Sequence, residues 1–243
     1  MDAMGAKKLT IGIFSIVLLA LSVTGIAKKH RAIREVFESR YYGSQLCKYP
    51  DFKCIRIKRS DTWVRLFPNE REREIVKRLN RMNLPLSYRR WIVVPVNLKE
   101  ITHMDLSPFP DTIKTTGQKT VIVNLSVHAF GAYDEKGNLV HWGPVSGGKG
   151  FCEDIKKPCT TALGSFRVIR KEGPGCLSET YPVETEGGAA MPYCMYFYRG
   201  YALHGSTLPG FHASHGCVRL FYDDAEWLNT QFLPMGARVI VTR

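Results

Sequence analysis

The sequence has no internal repeat, no low-complexity tract and no CxxC pair. The missing repeat excludes solenoid and propeller arrays, which show as self-similarity at a fixed period. The missing CxxC removes the commonest spacing of a structural zinc site. Acidic residues are scarce early in the chain: residues 28–100 hold 19 Lys+Arg against 8 Asp+Glu, whereas residues 101–243 hold 13 of each sign. The net charge of +12 therefore sits almost wholly in the first half. Such asymmetry implies two modules with different partners, the basic one suited to nucleic acid, anionic lipid or an anionic wall polymer.

The N-terminus narrows that choice. Lys7 and Lys8 precede an uncharged stretch rich in Leu, Ile and Val, from Leu9 to Ala27, and Lys28, Lys29 and Arg31 follow it. A basic start and then an apolar run reads as a secretory signal or a membrane anchor. Gly25-Ile26-Ala27 offers small residues for cleavage, and the 19-residue run approaches the roughly 20 residues that cross a bilayer. Both readings export the rest of the chain to the periplasm or cell envelope, with the inner membrane as partner if residues 9–27 stay attached. Export argues against nucleic acid as a partner.

Seven cysteines agree with export, because disulfides persist in oxidising compartments. Six form short-range couples, Cys47/Cys54, Cys152/Cys159 and Cys176/Cys194, although six cysteines allow fifteen pairings. The odd count leaves one thiol free, paired between chains or reactive, and Cys217 is the one left over.

Residues 28–46 read as a juxtamembrane segment and 47–98 as a compact α+β module of order β-α-α-β. Cys54 to Lys58 alternates apolar and basic as a half-buried strand does. Ser60-Asp61-Thr62 offers N-cap chemistry for a short helix over Trp63 to Phe67. A second helix is expected from Glu70 to Met82, with Ile75, Val76, Leu79 and Met82 at helical spacing and Glu74 placed to pair with Arg78. Trp91 to Val94 reads as a strand. With Leu79-Asn80-x-x-Asn83 at the helix end, this order resembles a degenerate LysM module, in which Ser60 replaces the usual Gly; the resemblance implies binding to glycans such as those of peptidoglycan. A small cap packed on the second domain is the competing reading.

Residues 99–118 read as a linker, and 119–243 as a mainly β domain, a β-sandwich or small barrel of many short strands. Strands are expected over 120–127, 166–169, 195–203 and 237–241, a hairpin turn over 133–139, and one short helix capped by Asp223.

Chemistry concentrates in residues 204–219, which hold three of the seven histidines, one Cys and one Arg. A thiolate is the nucleophilic form of cysteine, so a catalytic cysteine needs a base or cation beside it. His204 lies 13 residues before Cys217 and His215 two residues before it. Gly216 permits close approach of a substrate, and the N–H groups of Gly216 and Cys217 are candidate oxyanion donors. A zinc site of His204, His215 and Cys217 is the main alternative, with no evident fourth ligand.

Ser214-His215-Gly216-Cys217-Val218-Arg219, with His204-Gly205 upstream, resembles the signature of the L,D-transpeptidase (YkuD) catalytic domain. Pro144 to Gly148, Thr161 to Phe166 and Met191-Pro192-Tyr193 resemble further pieces of that family in the same order. The resemblance implies Cys217 as nucleophile, His204 as base, and His215 supporting the thiolate or oxyanion. It implies substrate or oxyanion contacts for Gly216, Arg219, Ser214 and Tyr193, with Arg219 alternatively fixing the turn. No cofactor or metal is implied. The expected reaction is peptidoglycan 3→3 cross-linking on stem peptides, or L,D-carboxypeptidation, through a cysteine thioester. A catalytically silent peptidoglycan-binding protein and a zinc or cysteine peptidase of another kind are the competing functions. His212 lies outside the family pattern and reads as a solvated loop residue.

Overall fold

The structure, a computed structural model, describes residues 42–114 and 117–243. The expected signal or anchor and residues 28–41 of the juxtamembrane segment lie outside these residues. Among the described residues no helix is long and apolar enough to cross a membrane.

In the N-terminal module, β1 (Phe52–Arg56) pairs antiparallel with β2 (Trp91–Pro95), Cys54 opposite Val93. Between them run α1 (Trp63–Leu66) and α2 (Glu70–Leu79). Thr62 caps α1 through the Arg65 N–H and Asn69 caps α2 through the Glu72 N–H, each satisfying a donor that has no partner within the helix. Glu70 and Glu72 in the first turn of α2 and Lys77 and Arg78 in the last complement its dipole. The helix stops at Leu79, short of the expected Met82, because Arg81 turns to φ 55°. Asn80 then holds both sides of the joint: its amide donates to Val76 O and Val93 O and accepts from Val93 N–H.

The expected Glu74–Arg78 pair is replaced. Lys77 reaches Glu74 (2.6 Å), while Arg78 makes a two-pronged bond, 2.8 Å on each prong, to Asp224 in the second domain. Arg81, wholly buried, donates to Val127 O and lies 4.8 Å over the Trp142 ring. One core joins Trp63, Val76 and Leu79 of the module to Tyr133 and Trp142 of the β domain. Residues 99–114, read from sequence as the start of a linker, bury Ile101, Leu106 and Phe109 in this core. Three apolar side chains in a stretch without periodicity still have surface to hide, which is why the connection packs instead of hanging free.

The second domain is mainly β. Its strands are β3 (Thr120–Asn124), β4 (Ala129–Tyr133), β5 (Leu139–Ser146), β6 (Gly150–Cys152), β7 (Lys157–Cys159), β8 (Gly164–Arg167), β9 (Arg170–Lys171), β10 (Met195–Tyr198), β11 (Tyr201–Gly205), β12 (Val218–Leu220) and β13 (Arg238–Thr242). Nine of them form one sheet in the order β8-β13-β3-β4-β5-β12-β11-β10-β9, and β6 and β7 form a separate hairpin. The edge strands β8 and β9 belong to one run, 164–171, pairing with β13 on one side and β10 on the other. Between them Val168 N–H donates to Ala237 O and Ile169 N–H to Tyr196 O. This run stitches the two ends of the sheet together and curls it into a half-barrel. The single strand expected over 166–169 is thus two, and the material of 195–203 is the β10–β11 hairpin. Val121, Val123, Val239 and Val241 alternate inward on the paired β3 and β13, as period-two strands require.

One helix, α3 (Tyr222–Trp227), continues as a π turn over Leu228–Phe232. Asp223 lies inside its first turn, not at the cap, which is Phe221 without a side-chain bond.

Candidate active site

The central device is a parallel strand pair. Leu203 faces Val218, His204 faces Arg219 and Gly205 faces Leu220 on β11 and β12. Opposite residues of paired strands share a face, so His204 and Arg219 project to the same side, and Cys217, in the bend just before β12, packs against the cluster that holds Ala202. Residues 206–217 leave β11 and return to β12 beside it. Cys217, His204, Arg219, His215 and Ser214 all line a cleft of about 820 Å³.

Burial shapes the acid–base character of this group. Cys217 is the free cysteine of the chain's described residues, and its thiol donates toward Gly200 O at 3.6 Å. Desolvation pushes the thiol up, with the Ala202 N–H and Arg219 pulling it back in part. His204, 5% exposed, is lowered to about 4 by burial, which outweighs the bond to Gly205 O that raises it; the Arg219 charge adds a smaller downward push. Its Nδ1 lies 3.0 Å from Gly205 O. A carbonyl only accepts, so Nδ1 carries the hydrogen and Nε2 the lone pair. A neutral imidazole with a free Nε2 is what a general base requires.

His215 is held differently. Its Nε2 lies 2.6 Å from Asp154 Oδ2, and its ring stacks on Tyr181 at 4.3 Å. Neither partner was foreseen from sequence. Asp154 sits between Cys152 and Cys159 with no local motif around it; that bridged hairpin was the one available signal. The expected oxyanion role of Gly216 does not match its bonding: its N–H donates to Ser214 Oγ at 3.0 Å. Ser214 Oγ in turn donates to Cys217 O at 2.5 Å, so the buried Ser214 closes the turn that presents the thiol. Gly216 itself is required by φ 135°, a backbone state that side chains avoid.

Tyr193, expected to touch substrate, points elsewhere: its hydroxyl donates to Glu226 at 2.8 Å. The neighbouring Met191 lines the cleft instead. His212 is likewise not a solvated residue. It accepts from Gly147 N–H at 2.9 Å, donates to Leu125 O at 3.0 Å and stacks on His128 at 3.9 Å. With Ser146, which donates to Phe211 O and accepts from Ala213 N–H, it straps the catalytic loop to the end of β5.

The cleft walls come from the two segments closed by the Cys152–Cys159 and Cys176–Cys194 bridges. Disulfides join Cys47–Cys54, Cys152–Cys159 and Cys176–Cys194, the pairing that proximity suggested. The first wall carries Asp154; the second carries Ser178, Tyr181 and Met191. Among the described residues, the ligand-type side chains that come together are Cys152, Asp154 and His215, and Glu172, Cys176 and Cys194. Their cysteines are consumed by disulfides, and His204 and Cys217 belong to neither group.

A thiol presented by the turn just before one strand, a neutral buried histidine on the parallel neighbour of that strand and a walled cleft define a cysteine acyl-transfer site. The family model of the L,D-transpeptidase catalytic domain (YkuD) matches residues 118–241. The chain belongs to this family of peptidoglycan cross-linking enzymes, on a match that covers half of it. Similar solved structures include an L,D-transpeptidase from Xylanimonas cellulosilytica (27% identity, TM-score 0.49, 63% of this chain and 72% of that one). Others are enzymes from Stackebrandtia nassauensis (24%, 0.45, 58% and 62%) and Mycobacterium smegmatis (23%, 0.43, 52% and 59%). The chain thus spans less than two thirds of the length of the last two. A comparison with curated proteins gives no significant match.

Proposed function

We propose that the protein is an exported L,D-transpeptidase that forms 3→3 cross-links. Cys217 attacks the carbonyl between the third and fourth residues of a donor stem tetrapeptide. His204 Nε2 takes the thiol proton and passes it to the departing terminal D-alanine. A thioester remains on Cys217, and the side-chain amine of a diamino acid in a second stem resolves it. Water in place of the amine gives L,D-carboxypeptidation. Arg219, in the cleft beside His204, pairs a substrate carboxylate.

The observation that carries this reading is the convergence on one cleft of Cys217, just before β12, with His204 and Arg219, paired across β11 and β12. The test is incubation of the purified protein with a disaccharide-tetrapeptide. D-alanine release with a 3→3 dimer, both lost in Cys217→Ala, supports the reading; no D-alanine release by the folded wild type defeats it.

We further propose that residues 47–98 are a LysM-like glycan platform. A second cavity of about 590 Å³, lined by Tyr88, Arg90 and Trp91 among others, supports this. Tyr88 and Trp91 are 70% and 50% exposed, and exposed aromatics with cations suit sugar rings that bear negative charge. Peptidoglycan pull-down by the whole protein, lost in Trp91→Ala, is the expected result; undiminished retention by that variant counts against the platform. Three disulfides support an oxidising, extracytoplasmic location, attached or released according to the fate of residues 9–27. Fractionation of cells into membrane and soluble envelope decides between these; recovery in the cytosol defeats export.

A further inference from the structure

We propose that Asp154 is a positioning residue for the acceptor half of the reaction, holding His215 as the base that takes the proton of the incoming amine. The inference rests on the acyl-transfer reading above and divides its proton transfers between the two histidines.

The geometry sets them apart. His204 is buried, donates from Nδ1 to its own neighbour's carbonyl and lies on the sheet, lining the same cleft as the thiol. His215 is partly exposed at the cleft surface, on the loop, under Tyr181. The Asp154 carboxylate only accepts, so the 2.6 Å contact puts the hydrogen on His215 Nε2. The neutral ring then keeps its lone pair on Nδ1. A carboxylate that orients a histidine and fixes its tautomer is the arrangement of a general base with its orienting partner. Lys149 Nζ, 3.8 Å from Asp154 Oδ1, shares the carboxylate without displacing His215. The Cys152–Cys159 bridge closes the hairpin that carries Asp154, so the contact is held by a covalent loop.

The neutral amine of the acceptor attacks the thioester carbonyl on Cys217. A C–N bond forms, the C–S bond breaks, and the electron pair leaves on the Cys217 sulfur as thiolate. The amine proton that must depart goes to His215 Nδ1, and from there to solvent. The new product is an amide, and nothing is oxidised or reduced.

The experiment compares the full-length wild type with Asp154→Asn and Asp154→Glu. Acylation is read as D-alanine release from a tetrapeptide donor in excess hydroxylamine, a weakly basic nucleophile that needs little help from a base. Transfer is read as dimer formation with a stem peptide carrying a free diamino-acid amine. For Asp154→Asn the ratio of transfer to acylation should fall at least about tenfold, within the range a positioned base contributes. Asp154→Glu should recover part of it. A parallel fall of both rates, or an unchanged ratio, overturns the assignment by reducing Asp154 to a structural role or none. Failure of the wild type to release D-alanine even with hydroxylamine removes the acyl-transfer reading itself, and this proposal with it.

Discussion

His204 and Arg219 face each other across the parallel strands β11 and β12, and burial, with a smaller push from the cation, holds the imidazole neutral. Burial lowers the imidazole to about 4, with Arg219 adding to the effect, while desolvation raises the Cys217 thiol. Both shifts favour the uncharged form, so the resting pair at pH 7 is thiol and imidazole, not thiolate and imidazolium. Alkylation of Cys217 by iodoacetamide should therefore rise with pH to a midpoint above the roughly 8.5 of a free thiol. A plateau already reached near pH 6 would reveal a preformed ion pair and contradict this.

Arg78→Met should destabilise the protein by about 3–5 kcal/mol, the usual cost of stranding one member of a buried pair. Asp224 is 2% exposed and would keep only His141, at 2.8 Å. Burial raises the Asp224 carboxyl, but Arg78 and His141 outweigh it and hold it below the usual carboxylate range. Its contribution is thus present above the ordinary carboxylate pKa and is lost as pH falls through the lower folded value. Urea unfolding of both proteins at pH 7 checks the magnitude; a difference under about 1 kcal/mol would mean the pair does little to join module and domain.

Reducing the Cys152–Cys159 bridge should lower turnover without touching Cys217, because the bridge closes the wall that carries Asp154. Cys152→Ser/Cys159→Ser, assayed for D-alanine release and dimer formation, gives the same readout without reductant. Unchanged turnover would show that the wall needs no staple.

Gly148→Ala should cripple the site. A Cβ there would lie 2.0 Å from Cys159 O, a backbone atom that cannot yield easily. Gly148 also donates to Thr161 and bridges to Ser214, so its displacement moves the turn that presents Cys217. Activity should fall at least tenfold, as small misplacements of reacting groups cost about 10²-fold. Gly173→Ala, with open space around it, is the control and should be tolerated. Equal activity of the two variants would contradict the account.

How much of this was legible in the sequence follows physical lines. The helices capped by Thr62 and Asn69, the hairpin at 133–139 and the short strands rest on local chemistry, and local chemistry is written in adjacent residues. Cys217 and His204 stood out because a rare thiol and rare imidazoles were concentrated together. What escaped depends on distant partners. Arg78 looked like a surface i,i+4 residue until Asp224 arrived from 146 positions away. Asp154 reaches His215 across 61 positions, and His212 reaches Leu125 across 87. Tyr193 was misjudged because a motif fixes the order of residues, while its φ of 56° and Glu226 decide where the ring goes.

The most direct test of the central claim is the intact mass of the purified protein after incubation with a carbapenem, a strained lactam whose ring a nucleophilic thiol opens to leave an acyl adduct. Wild type should gain one adduct and Cys217→Ala none, placing the acyl group on the Cys217 sulfur. An adduct of the same size on Cys217→Ala, or none on a folded wild type with its free thiol intact, would contradict Cys217 as the nucleophile.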